Sequence, residues 1–369
     1  MPSLADFDPG SLRAHLAGRG HNPVHAKRLL RAFYDACGNV DVDALNVGAA
    51  LRDYVRSDLL PLRSAVAATR RAGDGTTKLL VSLDDHSAVE AVLMPGFRPD
   101  RAAACVSSQV GCAMGCDFCA STRGGLERNL DAGEIVEQFL HLRHAARKLG
   151  RRITSLVFMG MGEPMHNLDN VIPAVRRIAD APTGALGWRQ VTVSTVGVVP
   201  GIDRLTAEDL NVNLAVSLHA PDDATRSRIV PSNRRHPVAD VMAATRRFAA
   251  ATGRIPTIEY CLLAGVNDSD DHAGLLAGLV AGDRFHVNLI PYNPVGAGVS
   301  GAAYERPSNE RVVRFLELLR ERGVVAHVRA TRGDDVSAAC GQLRETAWPL
   351  SLPAAAMIGS GAGGRGRDE

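Results

Sequence analysis

From about residue 102 the chain alternates between two hydrophobic patterns. The runs "AAACVSS", "ITSLVFMG", "RQVTVSTVG", "NVNLAVSLHA", "IPTIEYCLL" and "FHVNLIPYN" are short and rich in Val, Ile and Leu, as strands are. Between them "DAGEIVEQFLHLRHAARKL", "NLDNVIPAVRRIAD", "VADVMAATRRFAAAT" and "SNERVVRFLELLRERG" place apolar residues at helical spacing. Strands alternating with helices predict βα units on a parallel sheet. Six such units make a barrel or an incomplete one, and a further apolar run, "VVAHVRA", is placed to extend it.

Upstream the pattern differs. Residues 1–70 read as helical, with "GSLRAHLAGRG" and "HAKRLLRAFYDAC" as the clearest segments. In "GTTKLLVSLDDHSAVEAVLMP", residues 75–95, two β-rich runs flank an Asp-Asp-His turn, which predicts a hairpin. The expected organisation is a helical accessory domain over 1–70, a hairpin linker over 71–100 and a barrel over 101–330. A C-terminal segment over 331–352 follows. The Gly- and Ala-rich stretch 353–369, "PAAAMIGSGAGGRGRDE", reads as a disordered tail.

Composition narrows the function classes only slightly. The 369 residues suffice for about two to three domains, and a 46% hydrophobic content allows a large core. A net charge of +2 neither requires nor excludes a polyanionic partner, because a local patch suffices to bind phosphate. No apolar run is long enough for a membrane span. The start of the chain carries Asp6, Asp8 and Arg13 where a signal peptide needs apolar residues. Seven cysteines without an export signal suggest a reducing, cytoplasmic setting, where clustered thiols serve metals or catalysis.

Three of the seven stand close together, as Cys112-x3-Cys116-x2-Cys119, with Gly111 and Gly115 relieving the backbone. A structural zinc site closes with four ligands. Three thiolates suit a cubane iron–sulfur cluster that keeps one iron open to a substrate. A zinc knuckle completed by a distant His, or plain reduced thiols, is the alternative.

In βα barrels the active site forms at the C-terminal ends of the strands. Polar residues recur at those positions here: Gly162 and Glu163 in "GMGEP", Ser194 in "VTVSTVG", Ser217 and His219 in "SLHA", and Asn293 in "PYNP". Each alone is unremarkable, since a lone His or a strand Ser is usually packing. Four such stations above a cysteine loop are not easily accidental.

The cysteine motif, with Phe118 before its last Cys, resembles the signature of the radical S-adenosylmethionine (SAM) superfamily. Together "CVSSQVGC", "GMGEP", "SLHAP" and "TRGDDVSAACGQL" resemble the RlmN/Cfr family of RNA adenine methyltransferases, in order from Glu90 to Leu343. The resemblance implies an α/β fold: a partial (β/α)6 radical SAM barrel with an N-terminal helical, RNA-binding accessory domain and a short β-hairpin. It implies a [4Fe-4S] cluster on Cys112, Cys116 and Cys119. SAM is then contacted by Gly162, Glu163, Ser194, Ser217, Leu218, His219 and Asn293.

Further roles follow from the same resemblance. C2 of adenine is electron-poor and has no lone pair, so it cannot attack a sulfonium methyl directly. Two SAM molecules are used per turnover. Cys340 takes a methyl from the first, forming an S-methylcysteine intermediate. The second yields a 5′-deoxyadenosyl radical that abstracts hydrogen from that methyl, and the carbon radical adds to C2. Glu90 is the proton acceptor. Cys105 then releases the product by forming a transient disulfide with Cys340. The implied substrates are 23S rRNA, in its peptidyl-transferase region, and tRNA, beside its anticodon. The implied reductant is a flavodoxin or ferredoxin, and the enzyme is expected to be a monomer.

Other readings stay open. A Cfr-like enzyme would methylate C8 of the same rRNA adenine. A radical enzyme acting on a protein or small molecule would not need both Cys105 and Cys340. A zinc-bound RNA-binding module would need no catalysis at all. Cys37 and Cys261 read as small buried hydrophobes. The arginine pairs 151–152, 176–177, 234–235 and 246–247 either track phosphates or form solvated helix faces.

Overall fold

The computed structural model describes residues 1–59, 62–179 and 186–343. The expected disordered tail and the end of the C-terminal segment, residues 344–369, lie outside the described residues. Three helices open the chain: α1 (Pro9–Gly18), α2 (Ala26–Asp35) and α3 (Ala49–Asp58). Four strands follow, β1 (Ala65–Arg71), β2 (Thr77–Ser82), β3 (Ala88–Pro95) and β4 (Arg101–Cys105). A small antiparallel ribbon, β5 (Gln109–Gly111) and β6 (Leu126–Asn129), precedes α4 (Ala132–Lys148).

Strand–helix alternation then sets in. The elements are β7 (Arg152–Phe158), α5 (Leu168–Ala179), β8 (Val191–Thr195), α6 (Val199–Ala207) and β9 (Asn213–Ser217). Next come α7 (Asp223–Ile229), α8 (Val238–Thr252), β10 (Thr257–Leu262) and α9 (Asp270–Leu279). The described chain ends with β11 (His286–Pro291), α10 (Asn309–Glu321) and β12 (Val325–Val328), followed by the segment to residue 343.

These strands form one ten-stranded sheet in the order β1-β2-β3-β4-β7-β8-β9-β10-β11-β12. From β4 to β12 every pairing is parallel, and from β1 to β4 every pairing is antiparallel. β1 and β12 each have a single neighbour, so the barrel is open, as the α/β partial-barrel expectation requires. The run "VVAHVRA" does extend the sheet, as β12. The centre of the parallel part is buried on both faces, as in Leu214, Ala215 and Val216 of β9.

Two expected boundaries move. Residues 65–71 form the edge strand β1, although the region to residue 70 reads as helical. "AVAATRR" has no apolar stripe of helical period, and its backbone groups are satisfied by β2, from Ala65↔Ser82 to Arg71↔Thr77. The hairpin β2–β3 forms with its Asp-Asp-His turn, but it is no separate linker. β3 pairs with β4, from Pro95↔Ala102 to Val92↔Cys105, so the hairpin continues the barrel sheet.

α4 ties the N-terminal helices to the barrel. Its N-cap Asp131 forms a capping box with Glu134, and Ile135, Val136, Phe139, Leu140 and Leu142 are fully buried. Burying each such side chain contributes about 1.5–3 kcal/mol. On the same helix the buried Glu137 accepts from Ser3 Oγ (2.8 Å), Arg63 N (3.0 Å) and Ser64 N (2.8 Å). At its start, Arg128 joins Glu134 (2.7 Å) to Asp85 (2.6 Å), which clamps the β5–β6 ribbon to the β2–β3 turn.

Candidate active site

The three clustered cysteines lie on the loop between β5 and β6. Gly111 (φ +76°) and Gly115 (φ +72°) occupy left-handed conformations there. Four hydrogen bonds hold the loop. Thr122 Oγ1 accepts from Gly115 N (2.9 Å), and Asp117 N donates to Ile229 O (2.9 Å). The Asp117 carboxylate accepts from Ser300 N (2.7 Å) and from the Tyr304 hydroxyl (2.6 Å). Phe118 packs edge-on against His219, with ring centroids 4.9 Å apart.

The loop roofs a cavity floored by the C-terminal ends of the parallel strands. Cys112, Cys116 and Cys119 all border it. Met159, Gly160, Gly162 and Glu163 follow β7, Ser194 to Val196 lie at the end of β8, Ser217 ends β9 and His219 follows it. Glu259 and Cys261 come from β10, Ile290 and Tyr292 from β11, and Arg329 follows β12. Cys340 and Gly341 close the remaining side.

Burial pushes the Cys112 thiol up to about 12 and raises Cys116 and Cys119 as well. Thiols so placed ionise only against the charge of a metal. Among the described residues, no three His, Cys, Asp or Glu side chains gather closely enough to share one metal ion. The three cysteines instead border one cavity, an arrangement that fits a polynuclear cluster better than a single-ion zinc site.

Beside them the "GMGEP" turn is shaped by close approach. A Cβ at Gly160 would lie 2.6 Å from Val106 O, and one at Gly162 (φ +100°) 2.5 Å from Gln109 Cβ. Glu163 N donates to Gln109 Oε1 (2.8 Å), which presents the carboxylate to the cavity. That carboxylate accepts from Met165 N (3.0 Å) and Val196 N (2.8 Å), yet burial pushes it up to about 7. A buried acid so poised is suited to receive an ammonium or a hydroxyl.

The other stations divide. Ser194 Oγ donates to Phe158 O (2.5 Å) at the cavity wall, and Ser217 borders the cavity. His219 has φ +61°, and its Nδ1 accepts from Cys261 N (2.9 Å), so Nε2 carries the ring proton. Burial lowers its pKa to about 3, which keeps the ring neutral. The Leu218 side chain is fully buried in the core and is not among the lining residues, and its carbonyl accepts from Arg226 Nε (2.9 Å). Asn293 faces an adjoining small cavity, where its Nδ2 donates to Cys340 O (3.3 Å).

Cys340 is held between two sides of the barrel mouth. Ala120 N donates to Gly341 O (2.7 Å) from the cysteine loop, and Gly73 N to Asp335 Oδ2 (2.9 Å) from the β1–β2 turn. Cys105, the last residue of β4, is buried behind it. Burial pushes its thiol up to about 12, the neighbouring Cys340 adds to the rise, and Arg329 opposes it. Glu90 on β3 is buried too, with Lys78 Nζ 3.2 Å from its Oε1, and it lies outside the cavity lining.

Residues 106–276 match the profile of the Radical SAM superfamily. A probable dual-specificity RNA methyltransferase RlmN of Opitutus terrae is 56% identical over 351 residues, 95% of this chain and 99% of that protein. The chain belongs to the RlmN family. Another probable RlmN, from Symbiobacterium thermophilum, is 44% identical over 94% of this chain and 91% of its own length. A radical SAM methyltransferase of known structure, from Sphaerobacter thermophilus, is 45% identical with a TM-score of 0.88. It covers 93% of this chain and 99% of its own. Membership of the RlmN family within the radical SAM superfamily implies a [4Fe-4S] cluster and use of SAM.

Several residues of this RlmN-family site escape sequence reasoning. Arg329 and Glu259 lie 3.9 Å apart beside the cavity, and negative charge on Cys340, then on Glu259, holds the Arg329 guanidinium above its ordinary value. Arg226 is fully buried beneath the loop. It donates to Leu218 O (2.9 Å), Asn233 Oδ1 (2.9 Å), His236 O (3.2 Å) and Val196 O, and so joins the ends of β8 and β9. Cys261, expected to be a plain buried thiol, is buried but borders the cavity. The available signal for Glu259 was a lone charge inside the apolar run "TIEYCL".

The arginine pairs mostly serve the fold. Arg176 pairs with Glu208 (2.9 Å), Arg246 with Asp283 (2.9 Å) and Arg247 with Asp203 (2.8 Å), while Arg177 donates to Ala5 O (2.9 Å). Arg234 and Arg235 are exposed beside Pro231, which packs on the cysteine loop at Gly115. Among the described residues no helix is long and apolar enough to cross a membrane.

Proposed function

We propose that the protein is a radical SAM RNA methyltransferase that converts adenine to 2-methyladenine in 23S rRNA and tRNA, with Cys340 as methyl carrier. The observation that supports this most is the position of Cys340. It borders the same cavity as the three clustered thiols, with Cys105 behind it and Arg329 facing both. An enzyme that only cleaved SAM would need neither of these cysteines.

Cys112, Cys116 and Cys119 hold the cluster. When bound there, the cluster supplies the electron that splits the sulfonium of SAM. Glu163 receives the amino group of SAM or a ribose hydroxyl, and the Gly160–Gly162 turn lets the ligand lie against the backbone. Ser194, Ser217 and the Nε2–H of His219 supply further polar contacts, Leu218 contributes only through its backbone, and Asn293 acts through the Cys340 carbonyl. Arg329 stabilises the Cys340 thiolate as it displaces the methyl from the first SAM, with S-adenosylhomocysteine leaving. Loss of a hydrogen atom from the S-methyl of Cys340 leaves a carbon radical that bonds to C2. The adduct would return one electron to the cluster, and Glu90 accepts its C2 proton. Cys105, as thiolate, attacks the sulfur of Cys340. The departing methylene carbon takes up a proton to become the methyl of the freed base, and the disulfide left behind is reopened by an external two-electron reductant.

The protein then acts as a cytoplasmic monomer whose electron comes from a flavodoxin- or ferredoxin-type donor. The test combines two measurements on cluster-loaded protein supplied with SAM. The peptide containing Cys340 gains one methylene on its sulfur, and digested substrate RNA yields 2-methyladenosine. An unmodified Cys340 peptide refutes the carrier role, and 8-methyladenosine refutes C2 selectivity.

A further inference from the structure

Lys78 is a charged residue inside the apolar run "TTKLLVSL" of β2, and its side chain is wholly buried. Its ammonium touches two separate parts of the site. Nζ lies 3.2 Å from Glu90 Oε1, and it donates to Ser337 O at 3.1 Å. Ser337, at φ +51°, stands three residues before Cys340.

Strand register explains how one side chain reaches both. Lys78 lies opposite Val92, and Val92 lies opposite Cys105, so the three form a row across β2, β3 and β4. Glu90 is two residues from Val92 and opposite Leu80, which places Lys78, Glu90 and Cys105 on one face of the sheet. The β1–β2 turn holds the same C-terminal segment by Gly73 N to Asp335 Oδ2 (2.9 Å) and Gly333 N to Asp74 Oδ2 (3.2 Å).

Stability is a weak account of this cation. Taking an ammonium and a carboxylate out of water is costly, and an apolar pair of similar volume is often as stable or more so. A buried pair of this kind is better suited to fixing a geometry.

We propose that Lys78 is a positioning residue for the methyl transfer. It holds the Glu90 carboxylate and the Cys340 segment in one arrangement, so that the base meets the C2 hydrogen of an adenine joined to Cys340. The inference rests on the reading of Glu90 and Cys340 given above.

The test uses full-length, cluster-loaded Lys78→Met, Lys78→Arg and Glu90→Gln with SAM and an unmethylated tRNA transcript. Three quantities are read: S-methylation of Cys340 by peptide mass, covalent protein–RNA adduct on denaturing gels, and methylated nucleoside released. In Lys78→Met, S-methylation of Cys340 persists while product falls about 100-fold, the lower range of what a positioned base contributes. The adduct accumulates, as it does in Glu90→Gln. Lys78→Arg, which keeps a cation, restores about tenfold of the loss, because it retains part of the orientation.

Product at the wild-type rate from Lys78→Met overturns the inference. So does joint loss of S-methylation and adduct, which would assign Lys78 to the fold alone. Wild-type product from Glu90→Gln overturns the base reading itself, whatever Lys78 does.

Discussion

Gly162→Ala probes the turn that presents Glu163, and its cost can be worked from the geometry. Gly162 has φ +100°, where an L-residue is strained by about 1–3 kcal/mol. The new methyl would lie 2.5 Å from Gln109 Cβ, 2.7 Å from its Cγ and 2.8 Å from its backbone N. Gln109 has nowhere to go. It is 1% exposed, its Oε1 accepts from Glu163 N (2.8 Å), and its Nε2 donates to Asn129 Oδ1 (2.7 Å). Overpacking of this kind adds about 1–3 kcal/mol. Losing the Glu163 hydrogen bond adds about 1 kcal/mol.

The expected destabilisation is therefore about 3–7 kcal/mol, read as the unfolding free energy from urea denaturation. The Glu163 amide loses hydrogen-exchange protection, and SAM binding by calorimetry weakens with it. Gly18→Ala, at the end of α1 with nothing within 4 Å of the added methyl, is the control, with a change within about 1 kcal/mol. A Gly162→Ala protein within about 1 kcal/mol of wild type, its Glu163 amide still protected, would refute the close-approach argument.

Three further expectations follow from the same geometry. Cys119→Ala abolishes iron and sulfide uptake on anaerobic reconstitution, whereas Cys37→Ala, at a thiol buried away from the cavity, leaves both unchanged. Cys105→Ala retains S-methylated Cys340 but accumulates covalent RNA adduct, seen on denaturing gels, because no thiol remains to attack Cys340. His141 on α4 lies 3.0 Å from Ser64 Oγ, and burial lowers its pKa from 6.5 to about 4. Between those values the unfolded chain binds a proton that the folded chain refuses, so stability falls as pH drops through that window, by up to about 3 kcal/mol. His141→Gln flattens this stretch of the curve of unfolding free energy against pH.

Much of the architecture and part of the site were legible in the linear sequence, for local reasons. Val-, Ile- and Leu-rich runs alternating with helical stripes sufficed for the parallel sheet, because a strand covered on both faces is apolar throughout. Cys112, Cys116 and Cys119 are close in sequence, so one loop brings them to one cavity. Glycines 160 and 162 are needed wherever backbone meets backbone, and the "GMGEP" turn displays that need. The edge strand β1 was not legible. Its seven residues have little pattern of their own, and pairing with β2 decides their conformation.

What only the tertiary structure decided is which distant groups meet. Cys105 and Cys340 lie 235 positions apart in the chain, and they become neighbours because β4 and the segment after β12 converge at the mouth of an open sheet. Glu259 stands alone in an apolar run, Arg226 and Arg329 stand in polar stretches, and for all three only folding supplies the partners. Lys78 is the clearest case. Sequence composition marks it as an anomaly in a strand, but strand register and the return of the C-terminal segment set its ammonium against Glu90 and Ser337. Spacing along a chain fixes local geometry, whereas long-range contact depends on how the sheet closes, and no residue records that by itself.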